Sequence, residues 1–420
     1  MDRRETERWM AKIPPCAMDL AGENIVLLSL QRWDTHFTCI HGTALRLAQR
    51  NRVLFMEPPE SCARLLYEPA GRQSLRRVFR RLESFGDSLG IYHTPPLFLP
   101  MQARSKLILR TVNATYRRMI RDGIRRMGMA MEKTIFWIYQ FNLVGVVEAL
   151  HPRLALYECP EEAAEFTTKP RLRRYVQEMD AALCRRADLV IVPNPVLYET
   201  RKSIAREIHM LPWAADVEHY NQTMDPELQI PDDIAGIRRP IIGFCGNIDP
   251  CRFDVDLILT LAHRHPEWSI VLIGRLLADF DPRPLQQMSN IHLRSLKPMG
   301  ELPAYLKAFD VCTIPYLLNG FTRSITPLKL MEYLATGKPV VTTALPAALI
   351  YAEVIRVAKS PDEFEAHVVD ALADPLRGLE RRLAVALENN WDHYMQRKTA
   401  IVAARLKQCD ATRPRVSGKD

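Results

Sequence analysis

The sequence predicts an α/β protein with two doubly wound, Rossmann-like domains that face each other across a cleft. Short apolar runs alternate with helical patterns along most of the chain, which is typical of a parallel sheet covered by helices. A polar, proline-containing stretch at 216–239 divides these runs into two series. Because ligands of such sheets bind at the carboxyl ends of the strands, we expect the functional site in the cleft.

Two sequence patterns predict the elements: bounded apolar runs indicate strands, and apolar residues three and four positions apart indicate helices. In the first series we expect strands at 24–30, 52–56, 90–92, 134–139, 153–157, 188–192 and 207–211, and helices at 41–50, 101–127, 143–150, 172–186 and 196–205. In the second we expect strands at 240–245, 269–273, 291–294, 311–315, 339–342 and 354–357, and helices at 255–265, 301–308 and 327–336.

Composition and cysteine use favour a globular protein of a reducing compartment. The chain has 420 residues, 47% hydrophobic and 25% charged, which is enough for two cores. Its nine cysteines include no C-x-x-C pair, and several lie in apolar runs, so we expect reduced and mostly buried thiols. No apolar segment has the length of a signal-peptide core or a membrane span. These features predict a cytoplasmic protein.

The net charge of +8 is concentrated in the segment Arg72 to Arg126, which contains thirteen Lys or Arg and three acidic residues. Within it, arginines interleave with apolar residues at helical spacing and predict a basic amphipathic helix; they are Arg110, Arg117, Arg118, Arg121 and Arg125. Two interpretations stay open: contact with an anionic membrane surface at its inner face, or an apolar face in the core with arginines in solvent. Nucleic acid is disfavoured, because no known reader motif accompanies the charge.

Residues 323–342 are the stretch most informative about function. Thr326 is suited to cap a helix and Pro327 to its first position, so backbone N–H groups without intrahelical partners should point out of the preceding loop. Such groups bind anions. Lys329 and Glu332, three residues apart, share one face of the helix. The pattern fits a site for a diphosphate and a ribose diol, and equally an ordinary amphipathic helix with a surface Lys–Glu pair.

This helix, with Pro-Leu-Lys-Leu-Met-Glu-Tyr at 327–333, resembles the donor-binding half of GT-B glycosyltransferases, as does Glu-Leu-Pro-Ala-Tyr-Leu-Lys at 301–307. Within that fold the chain is similar to bacterial teichuronic-acid and exopolysaccharide enzymes, grouped with family-four retaining transferases. Ile-Ile-Gly-Phe-Cys-Gly-Asn-Ile at 241–248 and Trp-Ser-Ile-Val-Leu-Ile-Gly at 268–274 resemble the first two strands of the donor domain. The resemblance is good over 185–395 and loose over the first 160 residues.

The resemblance implies a hexosyltransferase-type enzyme that moves a sugar from a nucleotide-sugar, with UDP-sugar expected, to a cell-envelope glycan or lipid-linked acceptor, with retention at the anomeric carbon. No metal or other cofactor is expected, since the nucleotide-sugar is a co-substrate. The implied organisation is an acceptor-binding domain at 1–212, a linker at 213–238, a nucleotide-sugar-binding domain at 239–390, a closing helix at 391–409 that returns to the first domain, and a disordered tail at 410–420.

The resemblance also implies roles for individual residues of the second domain. Glu332 matches the carboxylate that accepts both ribose hydroxyls of the donor. The loop that meets the diphosphate is matched by Arg323, Ser324, Ile325 and Thr326, helped by the helix dipole. Positive charge near the diphosphate is expected from Arg252, Arg275 and Lys329. Further donor contacts are expected at Gly246, Asn247, Gly274, Leu296 and Lys297.

One position departs from the pattern of many related enzymes. Eight residues before the ribose carboxylate they carry an acidic residue that contacts the donor sugar, and this chain has Ser324 there. The identity of the sugar therefore cannot be inferred from that contact.

On the acceptor side, the loop after the first strand contains Asp34 and His36. Either could be a polar contact or, in an inverting enzyme, the catalytic base, and either could simply be solvated. Glu158, Glu161 and Glu162 also follow a strand, although an acidic helix start explains them equally well. The resemblance implies no covalent intermediate.

Two other functions remain open. One is a sugar-nucleotide epimerase of the same two-domain build, and the other is a non-catalytic subunit that retains the nucleotide site. A nicotinamide dehydrogenase is disfavoured, because Gly243 and Gly246 lack the three-glycine spacing of the dinucleotide fingerprint.

Overall fold

A computed structural model describes residues 1–35, 37–60, 81–95, 106–277 and 280–412, and the chain divides into two compact units. The first unit comprises Met1–Pro193, Leu197–Leu211 and Met395–Asp420, and the second comprises Asn194–Val196 and Pro212–Tyr394. Both ends of the chain thus contribute to the first unit.

The first unit is built on an eight-stranded sheet in the order β3-β4-β2-β1-β5-β6-β7-β8. Its strands are β1 Asn24–Leu28, β2 Arg52–Met56, β3 Leu82–Phe85, β4 Leu89–Tyr92, β5 Thr134–Ile138, β6 Leu154–Glu158, β7 Leu189–Val192 and β8 Ile208–Met210. Neighbouring strands are parallel except for β3 against β4. The central strands are buried along their length, which explains why they appear in the sequence as nearly continuous apolar runs.

Helices connect these strands as parallel pairing requires. Those of the first unit are Arg3–Lys12, Cys39–Leu47, Lys106–Arg126, Val144–Leu150, Pro170–Arg186 and most of Pro195–Arg201. Short 3₁₀ helices lie at Met131–Lys133 and Ala163–Phe166. One core cluster joins the buried faces of three of these helices to the sheet through residues such as Tyr116, Val146 and Leu183.

The second unit is built on a six-stranded parallel sheet in the order β11-β10-β9-β12-β13-β14. Its strands are β9 Ile241–Cys245, β10 Ser269–Ile273, β11 Ile291–Arg294, β12 Val311–Ile314, β13 Val340–Thr343 and β14 Arg356–Ala358. Its helices are Val217–Asn221, Asp232–Ala235, Val255–Arg264, Arg283–Gln286, Leu302–Ala308, Gly320–Arg323, Leu328–Ala335, Pro346–Leu349, Pro361–Ala373 and Leu379–Glu388, with 3₁₀ turns at Gln222–Met224 and Met299–Glu301. The last helix, Trp391–Thr412, begins in this unit and continues into the first.

The predicted pair of doubly wound α/β sheets is confirmed, and the predicted strands recur within one to two residues at most boundaries. Strand β3 was not predicted, because its Leu-Glu-Ser-Phe run is short and polar. The helix Pro361–Ala373 was not predicted either, although Ser360 caps it by accepting from the Glu363 N–H. Residues 213–238, expected to be a linker, lie in the second unit and include two of its helices.

The basic helix Lys106–Arg126 places its apolar side in the core of the first unit. Val112, Tyr116, Ile120 and Ile124 are buried there, while arginines such as Arg118 are exposed. The apolar face is therefore used in packing, as the second interpretation requires, and any contact with an anionic surface falls to the arginines. The remainder of the basic segment, 72–80 and 96–105, lies outside the described residues. No helix in the described part of the chain is long and apolar enough to cross a membrane.

A buried ion pair fixes the last helix in the first unit. Lys398 donates to Glu158 Oε1 at 2.8 Å, and both side chains are almost fully enclosed. The other carboxylate oxygen accepts from Trp137 Nε1 at 2.7 Å and from the Tyr139 hydroxyl at 2.8 Å. Burial lowers the pKa of Lys398, and the neighbouring Glu158 charge opposes this effect. Glu158 thus belongs to β6 as a structural anchor, and the predicted acidic helix start is wrong for this residue.

Replacing Lys398 by Met should destabilise the first unit by about 3–5 kcal/mol, because Glu158 would keep a buried charge without its partner. Chemical unfolding followed by circular dichroism measures this change. The matched control is Lys407→Met, an exposed lysine of the same helix, which should change the free energy of unfolding by no more than about 0.5 kcal/mol. Equal stability of the two variants would contradict an anchoring role.

Candidate donor-binding site

Two glycines end the neighbouring strands β9 and β10 and bring their backbones into close contact. Gly246 has φ of +156° and Gly274 has φ of +155°, values that side chains rarely adopt. A Cβ on Gly274 would lie 1.9 Å from the Gly246 carbonyl oxygen, and a Cβ on Gly246 would lie 2.7 Å from Lys329 Nζ. The carboxyl ends of these strands therefore present bare backbone, where a ligand can approach closely.

The loop 323–326 leads into the helix Leu328–Ala335, which begins one residue later than predicted. Thr326 is not its cap, and that prediction is wrong: the residue at the cap position is Pro327, in an extended conformation with no side chain to bond. The Thr326 hydroxyl instead accepts from Asn194 Nδ2 at 3.2 Å, and the same nitrogen donates to the Ser324 carbonyl at 2.8 Å. The first N–H groups of this helix still lack intrahelical acceptors, so its end keeps its preference for anions.

Glu332 lies one turn into this helix and is half-buried. The hydroxyl of the buried Tyr220 hydrogen-bonds to its carboxylate. Burial raises the pKa of Glu332, while the charge of Lys329 and the bond from Tyr220 oppose the shift. A carboxylate accepts up to about four hydrogen bonds, so one bond from Tyr220 leaves room for both hydroxyls of a diol.

Lys329 is directed at the glycine turn. Its ammonium donates to the Tyr316 hydroxyl at 2.6 Å and lies 5.1 Å from the ring centroids of both Phe244 and Tyr316. Both Lys329 and Glu332 are half-buried, so neither charge lies fully in solvent. A positive charge is thereby held next to Gly246 at the end of β9.

Arg252 follows the glycine turn and adjoins the segment that leads to the 323–326 loop. Its Nε donates to Asp249 Oδ2 at 2.6 Å, and its guanidinium lies 5.6 Å from the ring centroid of Phe321. Ser324 is buried and its hydroxyl donates to the Phe321 carbonyl at 2.9 Å. The serine that replaces the usual acidic residue therefore has its hydroxyl bonded within its own loop.

The remaining predicted donor residues are spread more widely over the second unit. Arg275, Asn247, Arg323 and Leu296 are exposed. Lys297 pairs with Asp233 at 2.7 Å and lies 4.8 Å from the Tyr305 ring centroid. Asp233 also lines a cavity of about 480 Å³ beside the edge strand β11; in the described part of the chain, none of the predicted donor residues lines it.

Among the predicted acceptor-side residues, Asp34 accepts from Arg32 Nε at 2.9 Å, and His36 lies outside the described residues. Glu162 pairs with Arg201 at 3.0 Å, while Glu161 lines a second cavity, described below. The roles of Asp34 and His36 in catalysis stay predictions.

Sequence reasoning missed three side chains that position this site: Asn194, Tyr220 and Tyr316. Asn194 ends the sequence Pro-Asn, Tyr220 ends Glu-His-Tyr, and Tyr316 ends Ile-Pro-Tyr. For Tyr316, which follows β12, a polar side chain at the end of an apolar run was the available signal, because such residues lie at the carboxyl edge of a parallel sheet.

Fold comparisons show that this chain has the two-domain GT-B fold, and sequence comparisons show that it is similar to glycosyltransferases. Residues 239–374 match the family described as Glycosyl transferases group 1. Sucrose-phosphate synthase from Thermosynechococcus elongatus superposes with a TM-score of 0.65 at 15% identity, covering 93% of this chain and 100% of its own. Anabaena HepE, solved in complex with UDP and glucose, gives a TM-score of 0.59 at 14% identity, covering 91% and 99%.

One sequence relative carries the name of a glycosyltransferase. The Bacillus subtilis protein TuaH, named as a teichuronic acid biosynthesis glycosyltransferase, is 26% identical over 230 residues, which are 51% of this chain and 57% of TuaH. The chain thus matches little more than half of the length of that relative. The resemblance predicted from the helix at 327–333 and the strands at 241–248 and 268–274 is confirmed.

Replacing Gly274 by Ala should destabilise the second unit by about 1–3 kcal/mol or more, because the new methyl group would collide with the Gly246 carbonyl and the residue would retain an unfavourable φ. Urea unfolding measures the loss. Gly300→Ala is the matched control: a Cβ there meets nothing within 4 Å, so a change of about 0.5 kcal/mol or less is expected. If Gly274→Ala is as stable as Gly300→Ala, the loops that follow β9 and β10 can move apart at little cost in free energy.

Proposed function

We propose that this protein transfers a sugar from a UDP-sugar to a cell-envelope glycan or lipid-linked acceptor, with retention at the anomeric carbon. The observation that carries the proposal is the arrangement in the second unit, where Glu332 and the start of the helix Leu328–Ala335 accompany the glycine turn at Gly246. Each group complements a different part of a nucleotide-sugar. UDP is favoured because it is named for two structural neighbours: the HepE complex and a UDP-forming trehalose-phosphate synthase of Burkholderia xenovorans. The synthase has a TM-score of 0.65 at 11% identity, and the match covers 92% of this chain and 100% of the synthase.

The donor is bound through its diphosphate and its ribose. In this proposal, N–H groups at the helix start and the charges of Arg252 and Lys329 stabilise the diphosphate, and Glu332 accepts both ribose hydroxyls. The backbone at Gly246 and Gly274 leaves space for the ligand at the strand ends. These groups act most strongly on the charge that develops as the nucleoside diphosphate leaves, which is how they lower the barrier.

The acceptor hydroxyl must lose a proton during transfer. In a retaining reaction the departing phosphate oxygen can take that proton, so no protein nucleophile is required; Asp34 and His36 are proposed as contacts of the acceptor or of the donor sugar. The nucleotide-sugar is the co-substrate, and we expect no metal. The exposed arginines of Lys106–Arg126 support work at an anionic inner membrane face, with about 1 kcal/mol per basic residue near the headgroups.

A non-catalytic nucleotide-binding role is the second candidate, and it is favoured by Ser324. Its hydroxyl is bonded to the Phe321 carbonyl, so the usual acidic contact with the donor sugar is missing. An epimerase would bind the same donor without an acceptor. Release of UDP that depends on an added acceptor would support transfer over both alternatives.

Replacing Glu332 by Gln should weaken UDP-glucose binding tenfold to a hundredfold, since the loss of charge-assisted bonds to the ribose costs about 1.5–3 kcal/mol. Isothermal titration calorimetry measures the affinity. The control is Glu380→Gln, an exposed glutamate of the helix Leu379–Glu388, which should bind like the unmodified protein. If both variants bind UDP-glucose equally well, Glu332 does not hold the ribose.

Affinity for UDP-glucose should fall as the pH is lowered from about 8 to about 5, approaching tenfold per pH unit below the pKa of Glu332. The sign follows because burial raises that pKa in the unliganded protein, and the protonated carboxyl cannot accept a bond at every oxygen site. UDP-glucose is suitable because its diphosphate diester does not titrate in this range. His219 contributes to the potential at Glu332, so the slope must disappear in Glu332→Gln and persist in His219→Gln.

A further inference from the structure

The first unit contains a cavity of about 350 Å³ at the carboxyl ends of its strands. Leu30 follows β1, Tyr139 follows β5, and Tyr157 lies near the end of β6. The opposite wall comes from the 3₁₀ turn Ala163–Phe166 and the start of the helix Pro170–Arg186. The cavity therefore occupies the edge of this sheet where ligands of doubly wound folds bind.

The lining offers apolar surface because its polar groups are bonded elsewhere. The Tyr139 hydroxyl donates to Glu158 at 2.8 Å, and the Tyr157 hydroxyl donates to Asp180 at 2.6 Å, so both rings contribute their carbon faces. The Thr167 hydroxyl accepts from the Lys169 N–H at 3.2 Å. The rest of the lining is largely apolar and includes Phe141, Leu172 and Val176. A polar sugar would find few partners inside.

The rim differs from the interior. Phe166 is 58% exposed and Leu30 is 37% exposed, so large apolar side chains surround the opening. Glu161 is half-buried and is the one charged residue among those that line the cavity in the described part of the chain. The cavity is thus suited to a molecule whose hydrocarbon part lies inside.

We propose that this cavity binds the hydrocarbon chain next to the sugar of a lipid-linked acceptor. The inference rests on the proposed function, since it assigns the apolar part of that acceptor. At about 30 Å³ for each water-sized group, the volume holds ten to twelve methylene groups. The exposed arginines of the same unit fit a substrate that resides in an anionic membrane.

A series of n-alkyl β-D-glucosides of increasing chain length, from methyl to tetradecyl, tests the proposal. Each glucoside is titrated into the full-length protein below its critical micelle concentration, and calorimetry measures its affinity. Affinity should rise about threefold for each added methylene and level off near ten to twelve carbons, when the cavity is full. Affinity that does not depend on chain length, or that rises without a limit, would overturn the proposal.

Two variants localise the binding. Ala163→Phe fills the cavity and should bring the plateau to shorter chains; Phe166→Asp places a charge at the rim and should weaken long-chain glucosides at least tenfold. Leu387→Asp, an exposed apolar residue outside this lining, should leave the series unchanged. Unaltered series in both cavity variants would overturn the assignment. A fatty acid that co-purifies with the protein and is not displaced by dodecyl glucoside would also overturn the assignment.

UDP-glucose affinity, measured on the same samples, separates the two proposals. If UDP-glucose binds and the chain-length dependence is missing, the acceptor cavity is wrong and the proposed function stands. If the long-chain glucosides bind and UDP-glucose does not, the proposed function fails, and the cavity is a lipid site of another kind. Thermal unfolding of Ala163→Phe and Phe166→Asp checks that both variants remain folded.

Discussion

The enclosed carboxylate of Glu158 determines how the first unit is completed. Its two oxygens accept from Trp137 of β5, from Tyr139 directly after that strand and from Lys398 of the last helix, and the side chain is almost fully enclosed. A buried charge of this kind is costly unless every partner is in place, so it favours one arrangement over many compact ones. The same bonds orient Tyr139, whose ring then forms part of the apolar cavity. A structural ion pair and the lining of the cavity thus depend on one residue.

In the second unit the corresponding constraint is steric. Gly246 and Gly274 allow two strand ends to approach until their backbones touch, and this leaves the ammonium of Lys329 and the carboxylate of Glu332 as the charged groups of the adjoining helix. Burial is what makes these charges effective, because a half-buried group interacts more strongly with a ligand than one in bulk water. The GT-B neighbours share the two-sheet fold at 14% and 15% sequence identity, which indicates that this fold tolerates wide variation in sequence.

Much of the fold was predictable because buried parallel strands appear as short apolar runs. The strand Arg52–Met56 and the strand Ser269–Ile273 were predicted with their observed bounds for that reason. Edge strand β3 was not, since its burial is only partial and its residues are polar. In the site, Glu332 could be predicted from helical spacing and family resemblance. Tyr220 and Asn194 could not, because they contact Glu332 and the 323–326 loop through tertiary packing, with about a hundred residues or more between them in sequence. The wrong cap at Thr326 has the same origin, since Asn194 takes the hydroxyl that local rules assign to the helix.

The discontinuous first unit has a consequence for synthesis of the chain. Residue 398 follows nearly the whole polypeptide, so a nascent chain that has already exposed Glu158 must wait for Lys398 until the second unit has left the ribosome. Translation proceeds at roughly 5–20 residues per second, so the delay amounts to some tens of seconds. During that interval the second unit can complete its own core, whereas the first has an unneutralised acid in its interior. The first unit can therefore complete its core only after the second unit has been synthesised, although most of the first unit is translated earlier.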